Sequence, residues 1–110
     1  IHTHSDVRTP AQARLVATRS HAPLRTLQDN AALRARLAGY EVPVKQFFQV
    51  PTEGGLRLNA WRILPPDFDS TRRYPVIQFV YGGPGSQTVV NRYEAFDPLW
   101  YATLARQGYI

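Results

Sequence analysis

Hydrophobic and polar positions change rhythm several times along this chain, and each change predicts an element. The most uniform stretch is Pro75-Val76-Ile77-Gln78-Phe79-Val80-Tyr81, a nearly unbroken apolar run that ends in Gly82-Gly83-Pro84-Gly85-Ser86. A run of this length, β-branched and bounded by breakers, predicts a strand buried on both faces, as in a parallel sheet. Tyr81 then stands at the strand's carboxyl end. Ligands of open α/β sheets bind just outside that edge, and a glycine-rich turn there lets a substrate approach backbone and phenol closely. Tyr81 is therefore a candidate hydrogen-bond donor to developing negative charge.

Upstream, short strand patterns at His2 to Asp6, Ala13 to Thr18 and Leu24 to Leu27 are separated by Arg-Thr-Pro and Ser-His-Ala-Pro, which predicts a meander. Asp29 or Asn30 can cap a brief connector helix over Ala31 to Ala38, with Leu33 and Leu37 on one face and Gly39 ending it. Val44 to Val50 and Leu56 to Leu64 flank Pro51-Thr52-Glu53-Gly54-Gly55 and predict a hairpin with a five-residue loop. Leu56, Leu58 and Ala60 share one parity and Trp61 and Ile63 the other. That change predicts a bulge or a change of packing near Ala60.

Pro65 to Arg73 holds two prolines and a charge cluster, so it reads as an exposed connection. After the glycine turn, Asp97 as cap, Pro98 at the first helical position, and Phe96, Leu99, Trp100, Thr103 and Leu104 at helical spacing describe an amphipathic helix ending at Gly108. Hairpin, strand, helix and the start of another strand is how a mixed α/β sheet with an antiparallel edge begins. No internal repeat is visible.

Composition narrows the function classes. The net charge of +5 raises the question of nucleic acid, and twelve of the thirteen basic residues are arginine. They are scattered singly, with only Arg72-Arg73 adjacent, so no dense basic block exists to grip a phosphate backbone. Without cysteine there is no disulfide framework, thiolate nucleophile or zinc-thiolate site. No stretch is long and apolar enough for a membrane-spanning helix, and no signal-peptide pattern is present. The 110 residues start at Ile1 without a methionine and stop where Gly108-Tyr109-Ile110 leads toward a further strand, so a fragment of a larger protein is expected.

Several constellations invite chemistry and have plainer readings. His4-Ser5-Asp6 contains three triad residue types, but neighbours in a strand point to opposite faces, so His4 and Ser5 cannot meet as base and nucleophile. His2 and His4 share a face, yet no third metal ligand accompanies them, and polar strand surface is the expected reading. Ser86 lacks the glycines two before and two after that a nucleophile elbow needs, since Pro84 and Thr88 stand there, and no histidine follows His21. The turn also lacks the Gly-Lys-Ser/Thr ending of a phosphate loop. Glu94 and Asp97 could form an acid-base pair, but Asp97 is better used as a helix cap and Glu94 is expected to be solvated. For Tyr81 two readings stay open on pattern alone: a site donor, or an aromatic that finishes a core strand with its hydroxyl in water.

Taken together, Leu64-Pro65-Pro66-Asp67-Phe68-Asp69, Arg73-Tyr74-Pro75-Val76-Ile77 and Val80-Tyr81-Gly82-Gly83-Pro84-Gly85-Ser86-Gln87 resemble the prolyl oligopeptidase family of serine peptidases, and most closely its dipeptidyl peptidase IV branch. The resemblance extends from Leu24 through the helix at Trp100, while the first twenty or so residues match only as generic last-blade strands. It implies that residues 1–42 are the end of a β-propeller and a connector helix, and that 43–110 are the amino-terminal part of an α/β-hydrolase peptidase domain. It implies that the Tyr81 hydroxyl belongs to an oxyanion hole, with Gly82, Gly83 and Pro84 shaping the turn. The catalytic serine, aspartate and histidine would follow later and the acidic residues that hold the substrate amine would precede, which would leave this chain inert alone. The implied parent removes dipeptides from peptide amino termini after proline or alanine, needs no cofactor or metal, admits a homodimer, and is favoured in a periplasmic or extracytoplasmic location. An acylaminoacyl peptidase or esterase, and a non-catalytic binding protein on the same fold, are the rivals.

Overall fold

The computed structural model describes residues 1–83, 85–94 and 97–110. They form two bodies, one built on Ile1–Glu41 with the stretch that begins at Asn91, the other on Val42–Val90 and the carboxyl-terminal helix. The first is a three-stranded antiparallel meander in the order β1 (His2–His4), β2 (Gln12–Val16), β3 (Pro23–Gln28), followed by α1 (Ala31–Leu37). Asp6 makes the first corner: its Oδ1 accepts the backbone N–H groups of Arg8 at 2.8 Å and Thr9 at 2.7 Å, and Asn91 Oδ1 accepts the Val7 N–H. The bond from Arg8 is the main reason the Asp6 carboxyl lies below the ordinary carboxylate range. Register shifts interrupt the β2–β3 ladder between Ala13 and Arg14 and between Leu15 and Val16.

The α1 cap divides its roles between two residues. Asp29 Oδ1 accepts the Ala31 N–H at 2.9 Å, while Asn30 adopts the left-handed conformation and its side-chain amide donates to the Ala11 carbonyl. The helix ends before Gly39 as expected, but without a left-handed glycine, since Ala38 closes it in the right-handed region. Arg34 and Arg36 sit in the last turn, where the helix dipole favours cations.

The second body opens with the hairpin of β4 (Gln46–Pro51) and β5 (Arg57–Arg62). Pairing runs without interruption from Gln46↔Arg62 to Pro51↔Arg57, so the bulge expected near Ala60 does not form. The parity change has another cause: both faces carry apolar residues, Leu58 and Ala60 on one, Trp61 and Phe47 on the other, and only the latter leads into the buried Ile63. The loop has the expected five residues, at 52–56 rather than 51–55. Thr52 N–H donates to Leu56 O, Gly55 N–H donates to Thr52 O, and Gly55 has φ 77°, which describes a turn followed by a left-handed residue.

Pro65 is buried, against expectation, but residues 66–73 are exposed as expected, yet ordered. Asp69 Oδ1 accepts both Thr71 N–H and Thr71 Oγ1–H, while Tyr74 Oη accepts the Asp69 N–H and its ring lies 5.2 Å from Phe68. The Thr71 backbone bond, then its hydroxyl, holds the Asp69 carboxyl below the ordinary range.

α2 (Asp97–Arg106) begins one residue before the expected Pro98, with Asp97 in its first turn rather than capping it, and its buried face is Ala102 and Ala105, flanked by half-buried Tyr101, rather than Leu99 and Trp100, which are exposed. Small alanines allow close approach where larger side chains would not fit. The Phe96 expected on this stripe lies outside the described residues. At the far end Gly108, φ 87°, places the Tyr109 N–H on Leu104 O and its own N–H on Ala105 O, the paired bonds of a Schellman motif.

Candidate functional site

The Pro75–Tyr81 run departs from its expectation most. The expected strand is not formed over these residues, and Val76, Phe79 and Val80 are 68, 65 and 72% exposed, so the segment is not buried on either face in this chain. Among the described residues no layer covers it, and an apolar strand cannot be buried without neighbours. Its backbone nonetheless shows where a neighbour goes: Ile110 N–H donates to Pro75 O at 2.9 Å and Ile77 N–H donates to Ile110 O at 2.8 Å. Two bonds bracketing Val76 are the pattern of a parallel partner. The Gly108 bend after α2 brings Ile110 back to that place.

Tyr81 ends the run and is itself exposed. Its ring folds back over the glycine turn so that a Cβ on Gly83 would stand 3.2 Å from Tyr81 Cε1 and 3.5 Å from its hydroxyl oxygen. Gly83 thus leaves the space the phenol occupies. A Cβ on Gly82 would meet nothing within 4 Å, so Gly82 is not required by crowding. Pro84 lies outside the described residues. Ser86 is exposed.

Downstream the turn is held by a side chain that the sequence pattern did not single out. Trp61 Nε1–H donates to Thr88 O at 3.2 Å, and the indole is itself clamped by Lys45 Nζ, 4.5 Å from the ring centroid, and by Tyr101, 5.4 Å between centroids with the rings tilted 51°. Lys45 is the sole lysine in an arginine-rich chain, and Trp61 sits where the parity changes. Those were the available signals.

The remaining candidates stay apart from this turn in their roles. His2 and His4 lie on exposed β1, with His4 Nε2 3.8 Å from Asp6 Oδ2, and among the described residues no group of three or more His, Asp or Glu side chains could hold a metal. Asp97 is the first residue of α2. Glu94 is not solvated as expected: its side chain is 22% exposed and stands 3.8 Å from Arg92 Nε. Among the described residues no helix is long and apolar enough to cross a membrane.

Comparison with known proteins converges on one group. The crystal structure of Porphyromonas gingivalis dipeptidyl peptidase 4 superposes with a TM-score of 0.86 at 42% identity, covering 97% of this chain and 15% of that one. This chain is homologous to a segment of the dipeptidyl peptidases 4. A probable dipeptidyl peptidase 4 of Aspergillus flavus is 39% identical over 83 residues, and the dipeptidyl peptidase 4 of Trichophyton rubrum 38% over 84, in each case 76% of this chain. The chain spans 11% of the length of these curated relatives. No protein-family profile matches it. The similarity to dipeptidyl peptidases 4 agrees with the motifs around Leu64, Arg73 and Val80, and the structural match is wide enough to take in the Tyr81 turn.

Proposed function

We propose that the protein carrying this chain is a serine-type dipeptidyl peptidase and that Tyr81 supplies the side-chain donor of its oxyanion hole. On this reading residues 1–42 are the last strands of a β-propeller with a connector helix, and residues 43–110 open an α/β-hydrolase domain. The substrate is a peptide from whose amino terminus a dipeptide is released, after proline or alanine. A serine elsewhere in the protein attacks the carbonyl, a histidine moves the proton, and charge collects on the carbonyl oxygen. A phenol O–H and a backbone N–H aimed at that oxygen gain strength only as the charge develops, so they lower the barrier rather than merely bind substrate. The chain alone would be inert.

The observation that supports this best is the location of an exposed phenol beside Gly83, directly after the run that pairs with Ile110, inside a segment similar to dipeptidyl peptidases 4. In the full-length protein Tyr81→Phe should lower kcat on a dipeptide reporter by about 10²- to 10³-fold with KM little changed. Wild-type turnover in that variant would overturn the assignment.

A further inference from the structure

We infer that Trp61 is a positioning residue for Tyr81, acting through the hydrogen bond from its indole N–H to Thr88 O; the inference rests on the oxyanion reading above. The Tyr81 turn leaves a segment tied at Pro75 and Ile77 by the two bonds to Ile110 and must be held again on its far side. Thr88 O is where that occurs, 3.2 Å from Trp61 Nε1 in a half-buried setting. The donor is itself fixed. Its ring sits against Lys45 on the segment entering β4 and against Tyr101 on α2, so the N–H direction is set by the hairpin and helix framework rather than by the loop.

Catalytic donors must be placed before the charge forms, and a displacement of about 1 Å can cost on the order of 10²-fold in rate. The loop's glycines at 82, 83 and 85 add no stiffness of their own. Its precision must come from its two anchors, and on the carboxyl side the indole supplies one.

Trp61→Phe in the full-length protein tests this, since it keeps an aromatic ring for Lys45 and Tyr101 and deletes the N–H. Benzothienylalanine at position 61, isosteric with the indole but without the N–H, serves where Phe disturbs folding. Expected are a fall in kcat of about 10-fold on a dipeptide reporter with KM little changed, faster amide exchange from Gly85 to Val89, and no further loss of kcat when the change is made in a Tyr81→Phe background. Unchanged kcat and exchange, or an equal loss of kcat in both backgrounds, would overturn the role. Wild-type turnover of Tyr81→Phe alone would instead overturn the oxyanion reading and this role with it, and exchange from Gly85 to Val89 would still separate an anchor without catalytic consequence from no anchor at all.

Discussion

The hairpin β4–β5 and the run from Val76 to Tyr81 are both short segments rich in apolar residues, yet the first forms paired strands and the second does not, and they differ in what surrounds them. Every residue from Gln46 to Pro51 faces a partner, a left-handed glycine closes the loop, and one face continues into Ile63 and the clamped Trp61. The run has Ile110 as its backbone neighbour around Val76 and leaves its side chains in water. Apolar composition is therefore a demand for burial, and whether it is met depends on elements far away in sequence. A hairpin finds its partner within a dozen residues, while a parallel strand needs a crossover and covering layers.

The contrast can be broken most sharply at Phe79. Phe79→Ala should cost less than about 0.5 kcal/mol in the 110-residue chain, where the ring is exposed, but about 3–5 kcal/mol in a full-length protein that buries it. Equal small costs in both, by urea unfolding, would mean that the run stays uncovered. Ile63→Ala should show the opposite dependence, costing about 2–4 kcal/mol already in the short chain because Ile63 is buried there.

Two glycines offer a matched pair. Gly55 in the hairpin loop and Gly108 after α2 share the left-handed region at φ 77° and 87°, so alanine at either should cost about 1–2 kcal/mol by thermal melting. Only Gly108→Ala should also hasten exchange of the Ile77 amide, whose acceptor is Ile110. If Gly55→Ala did the same, the two regions would melt as one unit and the comparison would lose its basis.

The smallest effect concerns acid. The folded Asp69 carboxyl has a lowered pKa, so its contribution to stability is present above the unfolded value and is lost as pH falls from about 4 through the lowered folded value. Asp69→Asn should remove that limb of the pH profile, leaving the hairpin's own unfolding unchanged. A profile that keeps its shape would show that the Thr71 bonds do not persist in solution.

Most local elements were legible because their signals are local. Turn residues between short strands gave the meander, Pro98 after Asp97 gave the start of α2, and Gly108 gave its end. The misreadings arose where the signal reports burial rather than conformation. Of the bulge or change of packing expected near Ala60, the bulge does not form; the parity change marks two apolar faces of one regular hairpin. Large side chains at Leu99 and Trp100 looked like a core stripe, although Ala102 and Ala105 are the buried pair and Leu99 and Trp100 are exposed. Glu94 looked solvated because its partner Arg92 is not visible as such in a pattern.

The candidate site divides in the same way. Sequence by itself determined that a tyrosine ends an apolar run at a glycine turn, and its motifs pointed to the dipeptidyl peptidase relatives; residue type and order suffice for that. Only the tertiary structure decided that the Tyr81 ring lies over Gly83, that Ile110 returns beside Val76, and that Trp61 reaches Thr88 between Lys45 and Tyr101. Those relations join residues 16 to 40 positions apart or hang on a single rotamer, and neither chain-order spacing nor hydrophobic period carries that information.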